Sequence, residues 1–281
     1  MMREISRTAL SVGLMRALHR SVDVEPWVVD DPVSPRLFGD ELRAELADDP
    51  AWRQDAYGNA MRGYVLVRSA FAEDRLRAAV ARGVRQAVVL GAGFDTFAYR
   101  QPPWMSGAVV YEVDAAPTQT EKRRLLARAG IPEPANVRYV PIDFETTALG
   151  TGLAAAGFDL AAPAFFSWLG VLPYLTRDAI DAVFAFVAAL PPQSEIAFTF
   201  APHDRSEVLA RRVAEMGEPF RTTFDPAELR AYLRQAGFAR IDFLTPEEAR
   251  AYLGERRDEL RIAPRLQIAS AVLEASVNRG G

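Results

Sequence analysis

Gly91, Gly93 and the acids Asp95, Glu112, Asp114 and Asp143 stand among or at the ends of short apolar runs. The runs QAVVL (86–90), AVVYEVD (108–114) and VRYVPID (137–143) have the β-branched texture of strands buried in a parallel sheet. Glycines after the first run and acids ending the second and third would then share one rim, the carboxyl edge, where open α/β sheets hold their ligands. Gly91-Ala92-Gly93-Phe94-Asp95 is followed by Thr96, so the third glycine of a dinucleotide fingerprint is missing.

A carboxylate about 20 residues past such glycines accepts from both hydroxyls of a ribose. Asp114 has that spacing, and Asp143 at the third tip can accept from an adenine amine. Asp95 and Asp114 would repel a pyrophosphate, but not an adenosine that carries positive charge. S-adenosylmethionine (SAM) has a sulfonium, an ammonium, a ribose and an adenine, and it is the cofactor these acids predict. A nucleotide-dependent oxidoreductase and a non-catalytic SAM-binding protein are the rival readings.

GAGFDTFAYR, YEVDAAPTQTEKRRLL, VRYVPIDF and PAFFSWLGVLPYLT, with SRTALSVGLMRA and VLVRSAFAEDRL upstream, resemble the leucine carboxyl methyltransferase family, in its bacterial branch of SAM-dependent O-methyltransferases. The resemblance runs from about Ser6 to the fifth strand. It implies a class I methyltransferase (Rossmann-like) fold: a doubly wound seven-stranded α/β sheet with one antiparallel strand and a helical lid. Carried over by position, Gly91 lies against the methionine end of SAM, within a Gly91-Ala92-Gly93 turn that counts with Asp95 among the cofactor-binding positions. Asp114 holds the ribose, and Asp143 with the backbone of Phe144 holds the adenine. Arg68 pairs with the methionine carboxylate, assisted by Arg16 from the first helix. Asp95 and Arg100 belong to the signature and serve either the turn or the ligand. Where the family commonly has glutamate before the glycine of the fourth string, this chain has Leu169. Tyr174 is the aromatic candidate on the acceptor side, with a core role equally open.

Apolar periodicity predicts helices over Ser6–Val22 and Tyr64–Arg82, then Thr118–Ala129, Arg177–Leu190 and Pro226–Gln235, the last capped by Asp225. Further strands are expected at 164–170, 195–200, 239–245 and 265–275, and the stretch after Gly93 reads as helical up to Arg100. Residues 1–85 are expected to form a helical extension covering the cofactor site. Residues 86–281 form the core, in which about 201–223 is long for a connection and is expected to add a lid helix.

The 281 residues carry a net charge of −4, no cysteine and only two histidines, His19 and His203. Disulfides, thiolate metal sites and a cysteine nucleophile are excluded, and a histidine-rich metal site is disfavoured. Charge and hydropathy predict no nucleic-acid partner and no membrane span, the lack of cysteine suits a cytoplasmic protein, and the resemblance to the bacterial branch implies a small-molecule acceptor. If the acceptor is a carboxylate it is ionised at neutral pH, so no base is needed and an arginine would anchor it; Arg205, Arg211, Arg212 and Arg221 are unranked candidates. A phenol or alcohol would need a base, and His203 is then the residue to test. His19 is expected to be structural or exposed.

Overall fold

Seven short strands pair into one sheet in the order β3-β2-β1-β4-β5-β7-β6. They are β1 (Gln86–Leu90), β2 (Val109–Asp114), β3 (Val137–Pro141), β4 (Ala164–Trp168), β5 (Glu195–Thr199), β6 (Arg240–Phe243) and β7 (Ile268–Val272). The first five pair in parallel, and β7 runs antiparallel to both β5 and β6, so it is the one reversed strand. This computed structural model describes residues 6–40, 44, 56–204, 207–255, 260–262 and 267–274.

Alternation along each strand divides the core between two faces. On one face Phe166, Trp168 and Phe198 pack against helices α5 (Leu149–Ala155), α6 (Arg177–Ala188) and α8 (Pro226–Gln235). On the other, Val110, Phe165 and Ala197 meet α3 (Ala56–Ala81) and α9 (Pro246–Leu253). Each fully buried Val or Phe among these contributes about 1.5–3 kcal/mol. A third cluster joins α1 (Arg7–Val22) and α2 (Ser34–Leu37) to Phe94 and to α4 (Ala116–Arg128) through Leu14, Leu37, Leu125 and Leu126.

The helix expected after Gly93 is not there. The chain makes only two short 3-10 turns, Phe97–Tyr99 and Pro103–Met105, before β2. Side-chain bonds and prolines explain this. Asp95 Oδ1 accepts the Phe97 N–H at 2.8 Å, the Thr96 hydroxyl donates to Asp31 Oδ2 at 2.5 Å, and Pro102 and Pro103 have no N–H to give a helix. The face a crossover helix would cover is taken instead by α3, which starts eight residues earlier than the periodicity predicts. Its Leu66, Phe71 and Leu76 belong to the same cluster as Ala87 and Phe165.

His19 is structural and buried. Its Nε2 accepts the Val28 N–H at 3.1 Å, which leaves Nδ1 as the protonated nitrogen facing Asp23 Oδ2 at 2.8 Å. Arg62 closes on the same carboxylate with two bonds of 2.7 Å, tying α1 to α3.

Candidate functional site

A cavity of about 990 Å³ opens at the carboxyl ends of β1, β2, β4 and β5, beneath α1, α3 and α7 (Glu207–Glu215). Its floor is the turn after β1. Gly91 has φ +64, and a Cβ there would stand 2.2 Å from Val171 Cγ2, so only glycine fits. Ala92 donates to the Val113 carbonyl at 3.0 Å, and the Gly93 N–H donates to Asp114 Oδ2 at 2.6 Å. The other oxygen of Asp114 accepts the Ala115 N–H at 2.6 Å. Strand β2 therefore fixes the turn through the carboxylate that the spacing marks for a ribose.

Above that turn the charges are paired. Arg16 of α1 meets Asp95 Oδ2 at 2.6 Å and donates to the Ser69 hydroxyl of α3 at 2.5 Å. Burial works to raise the Asp95 carboxyl, but the charges of Arg16, Lys122 and Arg100 and the Phe97 N–H outweigh it, and its pKa falls to about 2. Arg68 of α3 is different. It is buried, its guanidinium stacks on the Tyr64 ring at 5.3 Å, and no carboxylate pairs with it among the described residues. Burial, with Arg16 nearby, holds its pKa below the usual arginine value. Gly170, with φ +76, makes the space: a Cβ there would lie 2.8 Å from the Arg68 nitrogens.

Arg16, Arg68, Gly91, Ala92, Gly93, Asp95, Asp114, Phe144 and Tyr174 thus line one cavity, together with Leu169 in the place of the family's glutamate. Asp143 and His203 do not line it. Asp143 accepts the Glu145 N–H at 3.0 Å in a turn after β3, while Ile142 and Phe144 on either side face the cavity. His203 is 59% exposed, with Nδ1 2.8 Å from the Thr223 hydroxyl. Glu112 also departs from expectation: it points away from the ligand edge and is buried against Lys122 Nζ, with both oxygens at 2.8 Å. Tyr174 stacks on Phe220 at 5.3 Å, and burial followed by the charge of Glu218 pushes its hydroxyl far above the usual tyrosine range.

The stretch 201–223 does carry a helix, α7, over the cavity, and two carboxylates hold its far end. Glu218 accepts the Arg7 N–H at 2.8 Å and the Ser6 hydroxyl at 3.0 Å, and also bonds the Thr8 hydroxyl, so it caps α1. Glu145 accepts from Arg221 at 2.9 Å and from the Thr176 hydroxyl at 2.7 Å. Nothing in the sequence marks Glu218, which reaches a residue 212 positions away. Of the arginines considered for the acceptor, Arg212 and Arg221 line the cavity, Arg211 is exposed outside it, and Arg205 lies outside the described residues. Among the described residues no group of three or more His, Cys, Asp or Glu is placed to hold a metal ion, and no helix is long and apolar enough to cross a membrane.

Residues 9–188 match the model of the leucine carboxyl methyltransferase family. YktD of Bacillus subtilis, named as a candidate SAM-dependent methyltransferase, is 28% identical over 291 aligned positions, covering 92% of this chain and 94% of YktD. A Mycobacterium avium protein named in the same way is 40% identical over 228 positions, covering 77% of this chain and 73% of its own length. Two solved structures share the fold at a TM-score of 0.54. One is assigned as a methyltransferase from Thermobifida fusca, at 19% identity with 94% of each chain covered. The other is a DUF574 family protein from Streptomyces avermitilis, at 18% identity with 94% of this chain and 97% of that one covered. With the family model spanning well over half of its length, the chain belongs to the leucine carboxyl methyltransferase family.

Proposed function

We propose that this chain binds SAM across the carboxyl edge of its sheet and passes the methyl group to an oxygen of a small-molecule acceptor, a carboxylate in the first place. That it is a SAM-dependent methyltransferase follows from the family; the oxygen, the carboxylate and the residue roles are our reading of the site. The observation that carries it is Arg68. A buried cation that no carboxylate pairs with among the described residues is costly, and the α-carboxylate of a methionine group would supply that charge. Asp114, already oriented by two backbone N–H groups, would accept from a ribose hydroxyl pair, and Phe144 would flank the adenine. Asp143 would reach the adenine amine only by turning from its bond to Glu145.

SAM, when bound, supplies a methyl carbon on a positively charged sulfur that leaves as a neutral thioether. The chain's own work is then to hold, align and exclude water. A carboxylate oxygen attacks without prior loss of a proton, and the electron pair of the breaking carbon–sulfur bond stays on sulfur. No base is required, in keeping with a cavity that His203 does not line and with a Tyr174 hydroxyl that stays protonated. Residues 1–85 would cover the cofactor, 86–281 would carry the transfer, and 201–223 would shield the acceptor. A chain without cysteine suits the reducing cytoplasm, where we place the reaction.

Calorimetric titration with SAM, followed by incubation with methyl-labelled SAM and mixed small acids, tests this. SAM should bind, and the transferred label should be released as methanol by mild base, as from a methyl ester. No binding up to about 1 mM contradicts the cofactor. Label that survives base contradicts the carboxylate.

A further inference from the structure

Buried hydroxyls in this fold are committed to partners. Thr96 and Ser34 bond Asp31, Ser69 donates to the Val65 carbonyl at 2.8 Å, Ser194 donates to the Pro191 carbonyl at 2.7 Å, and Thr199 accepts the Gly170 N–H at 2.7 Å. Two depart from this among the described residues. Ser270 is sealed within β7, away from the cavity. Thr118 is 2% exposed, lines the cavity, and has no hydrogen-bond partner for its hydroxyl among the described residues.

The local chain explains why that hydroxyl is left over. Thr118 is the third residue of α4, whose N-cap Ala115 has no oxygen to offer. A helical threonine can return its hydroxyl to the carbonyl four residues back, as Thr120 does to Ala116 at 2.8 Å. For Thr118 that carbonyl belongs to Asp114, and it already accepts the Ile142 N–H at 2.9 Å, where β2 meets the end of β3. The neighbouring Gln119 uses its amide on the Glu112 and Val140 carbonyls at 2.9 and 3.2 Å. Thr118 therefore faces the cavity one helical turn beyond Asp114, and Ile142 and Phe144 line the same cavity from the end of β3.

We propose that the Thr118 hydroxyl is a binding group for the adenosine half of the cofactor. This rests on the reading of the cavity as a SAM site and adds a residue to it. A hydroxyl buried without a partner is costly, and as both donor and acceptor it suits a nucleoside edge that carries ring nitrogens and an amine. Arg68 and Thr118 then serve the two halves of one ligand, a cation for the methionine carboxylate and a neutral hydroxyl for the nucleoside.

The test is calorimetric binding of S-adenosylhomocysteine and of 5′-methylthioadenosine, which keeps the adenosine and lacks the amino-acid group. Wild type, Thr118→Val, Thr118→Ser and Arg68→Met are compared. Thr118→Val, of nearly the same shape, should weaken both ligands by one common factor, roughly 3- to 10-fold, while Thr118→Ser stays within about twofold of wild type. Unliganded Thr118→Val should melt no lower than wild type, because the hydroxyl it loses has no partner in the fold. Arg68→Met should weaken S-adenosylhomocysteine alone. The role of Thr118 is overturned if Thr118→Val binds S-adenosylhomocysteine as tightly as wild type, spares 5′-methylthioadenosine or melts lower without ligand, or if Thr118→Ser is as weak as Thr118→Val. Failure of S-adenosylhomocysteine to bind wild type overturns the cofactor site itself, and is seen before any variant is compared.

Discussion

At the glycine-turn end of the cavity, position is set by polar bonds: Asp114 holds Gly93 and Ala115, Asp95 holds Arg16, and Asp31 holds Thr96 and Ser34. At the α7 end it is set by packed apolar side chains, with Glu218 and Glu145 fastening the segment at its edge. A network of buried charges has one geometry or none. A wall of methionine, leucine and tyrosine accommodates different shapes. In the proposed reading, the cofactor chemistry common to the family belongs at the first end and contact with the acceptor at the second. Arg68 is the exception at the first end, a buried cation that no carboxylate pairs with among the described residues, and in the proposed reading it takes its counter-charge from the cofactor.

The contrast can be broken most severely at Arg68. Arg68→Met should weaken SAM binding by about 3 kcal/mol, over a hundredfold, while raising the melting temperature of the unliganded chain because a buried cation with no carboxylate partner among the described residues is gone. A drop in both would make Arg68 a structural residue. Asp114→Ala should cost SAM affinity about 2 kcal/mol; calorimetry giving wild-type affinity would move the ribose elsewhere. Asp95→Asn acts on stability. The Asp95 pKa lies near 2 in the fold against 3.8 ordinarily, so its carboxylate stabilises the fold above about pH 4 and that contribution is lost as pH falls toward 2. Urea unfolding should show Asp95→Asn about 2 kcal/mol less stable at pH 7, with the gap to wild type closing by pH 2. A gap independent of pH would deny the Arg16 pairing its weight. The smallest effect belongs to His203→Ala, whose turnover should stay within about twofold of wild type; a pH-dependent loss would revive a hydroxyl acceptor.

The first five strands were legible to within two residues because a parallel sheet buried on both faces leaves continuous β-branched runs such as QAVVL, whereas β7 is shorter than expected by three residues at each end. The glycine turn and Asp114 were legible from spacing. The missing helix after Gly93 was legible only in part: Pro102 and Pro103 stand in the sequence, but Thr96 reaches Asp31, 65 residues away. Helix α9 carried a readable signal, with Thr245 and Glu248 forming a capping box around Pro246. Short, glycine-containing α5 carried none. Glu112 and Asp114 end the same strand, yet two residues apart they differ in fate. Lys122, one helix on, claims the first, and only the fold shows which acid stays at the rim.

The most direct test is a crystal structure of the chain soaked with S-adenosylhomocysteine. Its carboxylate should lie within hydrogen-bonding distance of the Arg68 guanidinium, with the ribose hydroxyls on Asp114. A cavity that stays empty at saturating ligand, or a ligand whose carboxylate is bound away from Arg68, contradicts the proposed site.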